Sequence, residues 1–135
     1  MPCRRRPPWL QGYPSLLSSL ASFIKELDLD LGYQPRWVTT GSESLLPEQR
    51  DLMTEVFGVR PRQHFGLAEG VANLSECELG NLHVDEDFAP VEFLPNPAGE
   101  GLRIVGNNVT NPTACFLRYD CDDLVDAVSD EPCPC

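Results

Sequence analysis

Between Pro14 and Gly66 the spacing of apolar residues alternates between helical and strand periods, and proline or glycine stands at nearly every switch. Leu16, Leu17, Leu20, Phe23, Ile24, Leu27 and Leu31 recur at helical spacing. They predict an amphipathic helix over 15–28, started at Pro14 or Ser15 and stopped by Gly32. Pro35 then leads into Arg36-Trp37-Val38-Thr39-Thr40, a β-branched and aromatic run that ends at Gly41 and reads as a buried strand. Pro47 opens a second helix whose apolar side is Leu52, Met53, Val56 and Phe57 and whose end is Gly58. Val59 to Phe65 reads as the next strand. Strand, helix and strand in this order make a βαβ unit, and parallel strands carry ligand loops at their carboxyl ends, here marked by Gly41 and Gly66.

After Glu69 the pattern shortens to extended runs, Leu82-His83-Val84, Val91-Glu92-Phe93-Leu94 and Leu102-Arg103-Ile104-Val105, separated by Asn, Pro and Gly. Such runs predict a small antiparallel sheet. The expected class is therefore α/β. The expected division is an extended Arg/Pro-rich lead-in over 1–12, an α/β part over 13–72, and a small β subdomain over 73–135 that ends in an acidic, cysteine-bearing tail. A chain of 135 residues has no room for a second full domain.

Charge narrows the partners. Against 21 acidic side chains stand 10 basic ones, a formal net charge of -11. That balance repels phosphate backbones and anionic lipid, so neither nucleic acid nor a membrane is expected as a partner. No apolar stretch approaches the ~20 residues of a membrane-spanning helix. The only basic cluster, Arg4 to Arg6, is followed by no signal-peptide core, which predicts a cytoplasmic protein with reduced or metal-bound thiols. The sequons at Asn73 and Asn108 are accordingly discounted.

Three loops carry residues suited to ligand chemistry: Thr40-Gly41-Ser42-Glu43, the stretch His64 to Gly70, and Arg118 to Leu124. Gly41 and Gly66 remove side chains where strand meets loop, so a flat ligand can lie against backbone beside the face of Phe65. Glu69 suits Mg²⁺, a hard ion that takes oxygen ligands, and Asp123 suits sugar hydroxyls. Ordinary turn chemistry is the competing reading of each loop. Separately, Cys77-x5-His83 and Cys133-Pro134-Cys135 supply three sulfurs and an imidazole, a donor set for tetrahedral zinc, although not at a common finger spacing. A flexible acidic tail is the alternative.

Cys3, Cys115 and Cys121 show no partner pattern, and a Cys77–His83 nucleophile pair lacks an orienting acid. His64 beside Phe65 reads either as facing a substrate or as a structural histidine. Trp9 and Trp37 read as packing groups and Lys25 as a solvated helix lysine.

In order and separation, Gly12-Tyr13-Pro14-Ser15, Thr39-Thr40-Gly41-Ser42-Glu43, Leu46-Pro47-Glu48-Gln49-Arg50, Phe65-Gly66-Leu67-Ala68-Glu69-Gly70 and Arg118-Tyr119-Asp120 resemble the loops of adenylate-forming acyl-CoA ligases. The likeness is to the branch of phenylacetate-CoA ligase and capsular-polysaccharide adenylating proteins. It implies a fragment of the large N-terminal domain of an enzyme that joins a small carboxylic acid to AMP, using ATP and Mg²⁺, and then to coenzyme A. By the same resemblance Gly41, Ser42 and Glu43 would line the adenine pocket and Phe65 would stack near the base. Gly66, Leu67 and Ala68 would border the carboxylate and phosphate, Glu69 would hold Mg²⁺ as the catalytic residue, and Asp123 would grip the ribose.

Cys121-Asp122-Asp123 stands where that family reads Thr-Gly-Asp, and Phe65 where it has Tyr. The family's phosphate loop would fall before residue 12 and its lid lysine after residue 135, so the resemblance implies a chain inactive alone, its missing parts supplied by other segments of a split or truncated ligase. Family members of this branch often carry Cys and His near 77 and 83 and a Cys-x-Cys near 133, which favours structural zinc. A non-catalytic, zinc-clipped nucleotide-binding or scaffold module is the alternative.

Overall fold

A computed structural model describes residues 5–135, so Cys3 and Arg4 lie outside the described residues. The chain separates into two compact units, one reaching to His64 and the other running from Phe65 to Cys135.

The first unit contains β1 (Trp9–Gly12), α1 (Pro14–Glu26), β2 (Trp37–Gly41), α2 (Pro47–Phe57) and the start of β3 (Arg62–Gly66). Strand β1 pairs with β2 in parallel from Trp9↔Trp37 to Gly12↔Thr40. Strand β2 pairs with β3 in parallel from Thr39↔Arg62 to Gly41↔His64. The βαβ unit read from the periodicity is present, and β1-α1-β2 adds a second one. The last four residues of the lead-in form β1, a strand too short to show a period. It is registered by the Pro8 carbonyl, which accepts from Arg36 and Trp37 N–H at 2.8 and 3.0 Å, and by Trp9 Nε1 donating to Thr39 Oγ1 at 2.8 Å.

Leu17, Ala21 and Ile24 of α1, Val38 of β2, and Leu45, Met53 and Phe57 close one buried cluster, so both helices cover the same face of the sheet. Helix α1 stops sooner than the expected Gly32. Asp28 takes a left-handed conformation (φ 48°), its N–H donates to Lys25 O at 3.2 Å, and Leu29 N–H donates to Ile24 O at 2.9 Å. This is a Schellman closure with an aspartate in the glycine position, where a short polar side chain tolerates positive φ. Helix α2 ends as the sequence predicts, at Gly58 with φ 70°.

The second unit contains a hairpin of β4 (Asn73–Glu76) and β5 (Leu82–Val84), and an antiparallel sheet in the order β6 (Val91–Pro95), β7 (Leu102–Asn108), β8 (Phe116–Val125). All three predicted runs are strands. Arg118 to Leu124, expected as a loop, lies with Asp123 inside strand β8, whose alternation is broken by left-handed Arg118 (φ 48°) and Asp122 (φ 60°). Ala72, Leu74 and Ile104 form its buried cluster, with Phe65, Leu67, Val84, Val91, Phe93, Cys121 and Val125 packed around them. A Cβ at Gly106 would lie 2.1 Å from Val71 O, so only glycine lets β7 pass beneath the loop that follows β3. The class is mixed α/β. Among the described residues no helix is long and apolar enough to cross a membrane.

Candidate metal centre

The β4–β5 hairpin builds half of a four-ligand cluster. Its register sets Ser75 opposite His83 and Glu76 opposite Leu82. Asp85 fixes that register: its carboxylate accepts from Asn73 Nδ2 and, at 2.8 Å, from Ser75 Oγ, and its N–H donates to Asn73 O at 2.9 Å. Cys77 follows β4 immediately. Its N–H donates to Asn81 O at 2.9 Å, and Gly80 N–H returns to Cys77 O at 3.1 Å. Gly80 has φ 92°, which a residue with a Cβ adopts only under strain. The tight loop brings the Cys77 sulfur and the His83 ring to one side.

The chain end supplies the other half. Asn81 Nδ2 donates to Cys133 Sγ at 3.3 Å, and Cys135 Sγ lies 3.6 Å from His83 Nε2. Pro134 between the two cysteines restricts the backbone that carries them. One ligand atom from each of Cys77, His83, Cys133 and Cys135 lies within 4.8 Å of the others. In a tetrahedral site with Zn–S of ~2.3 Å the sulfurs sit roughly 3.8 Å apart, so the cluster closes on an ion with shifts of about 1 Å. The set can hold a metal such as zinc.

Electrostatics divide the four donors. Burial opposes ionisation of Cys77, but hydrogen bonds from the Asn81 backbone, the His83 ring and the Leu79 backbone, with Cys133, push its thiol down to about 6. Hydrogen bonds with Cys77 and Cys133 raise His83 above its ordinary value. The Asn81 amide is the first cause holding Cys133 low, whereas Cys135 is pushed up to about 11, chiefly by its hydrogen bond to Cys133. Cys77 and Cys133 thus lean toward the thiolate, while an incoming cation would have to displace a proton from Cys135 and from the imidazole.

The loop residues divide between the units. In the first, a Cβ at Gly41 would approach His64 O to 3.0 Å, so glycine allows β2 and β3 to end side by side. Ser42 is left-handed at φ 65°. The Glu43 carboxylate accepts from Ser15 N–H and Oγ at 3.1 and 3.0 Å, a cap on the N-terminus of α1 that no local motif announces. In the second unit, Phe65 and Leu67 pack on the buried cluster. Gly66 ends β3, and Gly70 turns the chain with φ 64° after Ala68 and Glu69.

The carbonyl of Glu69 accepts from Asn108 Nδ2 at 2.8 Å, while Asn108 Oδ1 accepts from Thr110 N–H, Thr110 Oγ and Asn111 N–H, each at 3.1 Å. The sequence reading met Asn108 only as a discounted sequon and gave it no structural role. The signal for that role is an Asn two and three residues before the N–H groups it binds. Asp123, Asp120 and Glu69 all act on Cys121: burial first, then these carboxylates, push its thiol up to about 11. Glu69 and Asp123 therefore both belong to the acidic neighbourhood of Cys121.

No family model matches the chain. It is similar to Protein CapK of Staphylococcus aureus, with 22% identity over 127 residues. The match takes in 94% of this chain and 28% of CapK, so the chain spans little more than a quarter of the length of that curated relative.

Proposed function

We propose that this chain is a zinc-clipped segment of an adenylate-forming carboxylate-CoA ligase of the phenylacetate-CoA ligase type, one that keeps nucleotide-facing loops and does not turn over by itself. The observation that carries the zinc clip is the convergence of Cys77 and His83 with Cys133 and Cys135, two pairs far apart in sequence. Three sulfurs and one imidazole select zinc over hard cations, which take oxygen. Four protein ligands leave no open position, so the role is structural: the ion ties the chain end to the β4–β5 hairpin.

The ligase reading is supported by the similarity to CapK across nearly the whole chain and by where the loops fall. Gly41 ends β2 and Gly66 ends β3, at the carboxyl ends where parallel strands receive ligands. In this reading Glu69 holds Mg²⁺ and Asp123 takes the ribose hydroxyls, while the Asn108 bond to the Glu69 carbonyl keeps that loop in place. Mg²⁺, when bound, would draw charge from ATP phosphates. The carboxylates of Glu69, Asp120 and Asp123 around Cys121 oppose a nucleotide that arrives without that cation. The same acidity favours the second reading, a zinc-clipped scaffold without nucleotide.

Protein purified without added zinc is expected to contain one zinc per chain by mass spectrometry of the metal, and a folded, zinc-free product would overturn the clip. Calorimetric titration with ATP and Mg²⁺ separates the two readings. Binding that Glu69→Ala and Asp123→Ala abolish supports the nucleotide loops, and no binding leaves the scaffold. ATP-pyrophosphate exchange with aryl acids is expected to be absent, so turnover by the 135-residue chain would refute inactivity.

A further inference from the structure

Helix α1 is apolar on two adjacent sides. Pro14, Leu17, Ala21 and Ile24 are buried against the first unit. One step round the helix, Tyr13, Leu16, Leu20, Phe23 and Leu27 form a second stripe, and every member is between 45 and 64% exposed. Their spacing runs 3, 4, 3, 4, the interval at which two helices interlock side chains along a seam. The remaining side of the helix is mostly serine, Ser15, Ser18, Ser19 and Ser22. A surface helix ordinarily keeps one apolar stripe, so the second is surface made to be covered.

We infer that the occupant is a second copy of this chain, which places its own α1 antiparallel across the same stripe. The stripe is self-complementary about Leu20. A two-fold axis there sets Leu20 against Leu20 of the second copy, Leu16 against its Phe23 and Tyr13 against its Leu27, as an isologous contact requires.

Charge points the same way. The part of the chain up to His64 has 8 basic and 7 acidic side chains (8 − 7 = +1), and the part from Phe65 has 2 and 14 (2 − 14 = −12). Two copies of a chain at -11 meet with least repulsion through the neutral unit. Helix α1 has no charged side chain before Lys25, whose ammonium already pairs with Glu55 at 2.7 Å. Five large side chains, each offering ~100 Å² of uncovered surface, give about 1,000 Å² over both copies, which is the low end for a specific contact. An interface of that size makes a weak, reversible dimer.

Sedimentation equilibrium of the zinc-loaded 135-residue chain, under reductant so that no thiols cross-link, is expected to show a reversible monomer–dimer equilibrium. Leu20→Glu brings two carboxylates together on the axis and is expected to raise the dissociation constant ~100-fold or more. Leu20→Ala, which favours the helix, is expected to raise it about tenfold, and helical circular dichroism of each variant checks folding. Leu117→Glu, at an exposed leucine of the second unit, is expected to leave it unchanged. A monomer at every concentration overturns the inference, as does a dimer that withstands both Leu20 substitutions or is lost with Leu117→Glu.

Discussion

The unit ending at His64 closes seven buried hydrophobic side chains into one cluster, whereas the unit from Phe65 closes three, with Val71, Ala89 and Val105 buried outside that cluster. Two helices and a parallel sheet give the first unit apolar surface to bury from both layers. The second has antiparallel strands, fourteen acidic side chains and no helix among its described residues. Its order comes instead from polar devices at fixed places: Asp85 under the hairpin, Asn108 under the Glu69 loop, and the Cys77–His83–Cys133–Cys135 cluster at the end of the chain. A small acidic β unit gains from such staples, because hydrophobic burial leaves little surplus over chain entropy.

Removing the metal should produce the largest separation between the units. Chelation, or Cys133→Ser, is expected to raise amide exchange across 126–135 and the β4–β5 hairpin by about a hundredfold or more, while α1 and α2 keep their protection. Hydrogen exchange resolved by peptide measures this directly. Equal loss of protection in both units would show that the clip also supports the first unit.

The reverse experiment is Met53→Ala. Met53 is fully buried at the centre of the first cluster, and its truncation is expected to cost about 2–5 kcal/mol there. Denaturant unfolding followed at Trp9 and Trp37, both in the first unit, reads the loss, and zinc content should not change. Smaller again is Asn108→Ala, which strips the Glu69 carbonyl and the N–H groups of Thr110 and Asn111 of their partner. That change is expected to cost roughly 1–3 kcal/mol, confined to the second unit. A drop in the midpoint of the first unit would mean that the polar hub is shared.

The two units were also unequally legible. In the first, Pro14, Pro47 and Gly58 mark helix ends and the apolar spacing marks what lies between, so helices and strands could be read locally. The exceptions were Asp28, which closes α1 in a glycine's place, and β1, whose four residues take their register from Pro8 and Thr39. In the second unit, β8 hides its alternation behind left-handed Arg118 and Asp122. The metal ligands could be proposed from residue type, since cysteine and histidine carry their chemistry with them. What sequence could not give was the turn through Asn81 that brings Cys133 to the hairpin, nor Glu43 spanning to Ser15 at the head of α1. Both are contacts between distant segments, and no local period encodes them.

The smallest predicted effect tests the acidity of the second unit at a thiol outside the metal cluster. Cys121 is raised from 9.0 to about 11, first by burial and then by Asp123, Asp120 and Glu69. A folded value above the unfolded one contributes stability that is complete below pH 9 and disappears as pH climbs through 11. At pH 8 the two-unit rise leaves about a hundredfold less thiolate than an unperturbed cysteine would have, so Cys121 should alkylate far more slowly than exposed Cys115. Asp123→Asn removes the foremost of the charges and is expected to accelerate Cys121 severalfold with the order preserved, because burial still dominates. Mass-resolved alkylation across pH 7–11 gives the comparison, and an unchanged rate would place Asp123 too far from Cys121 to share the acidic neighbourhood with Glu69.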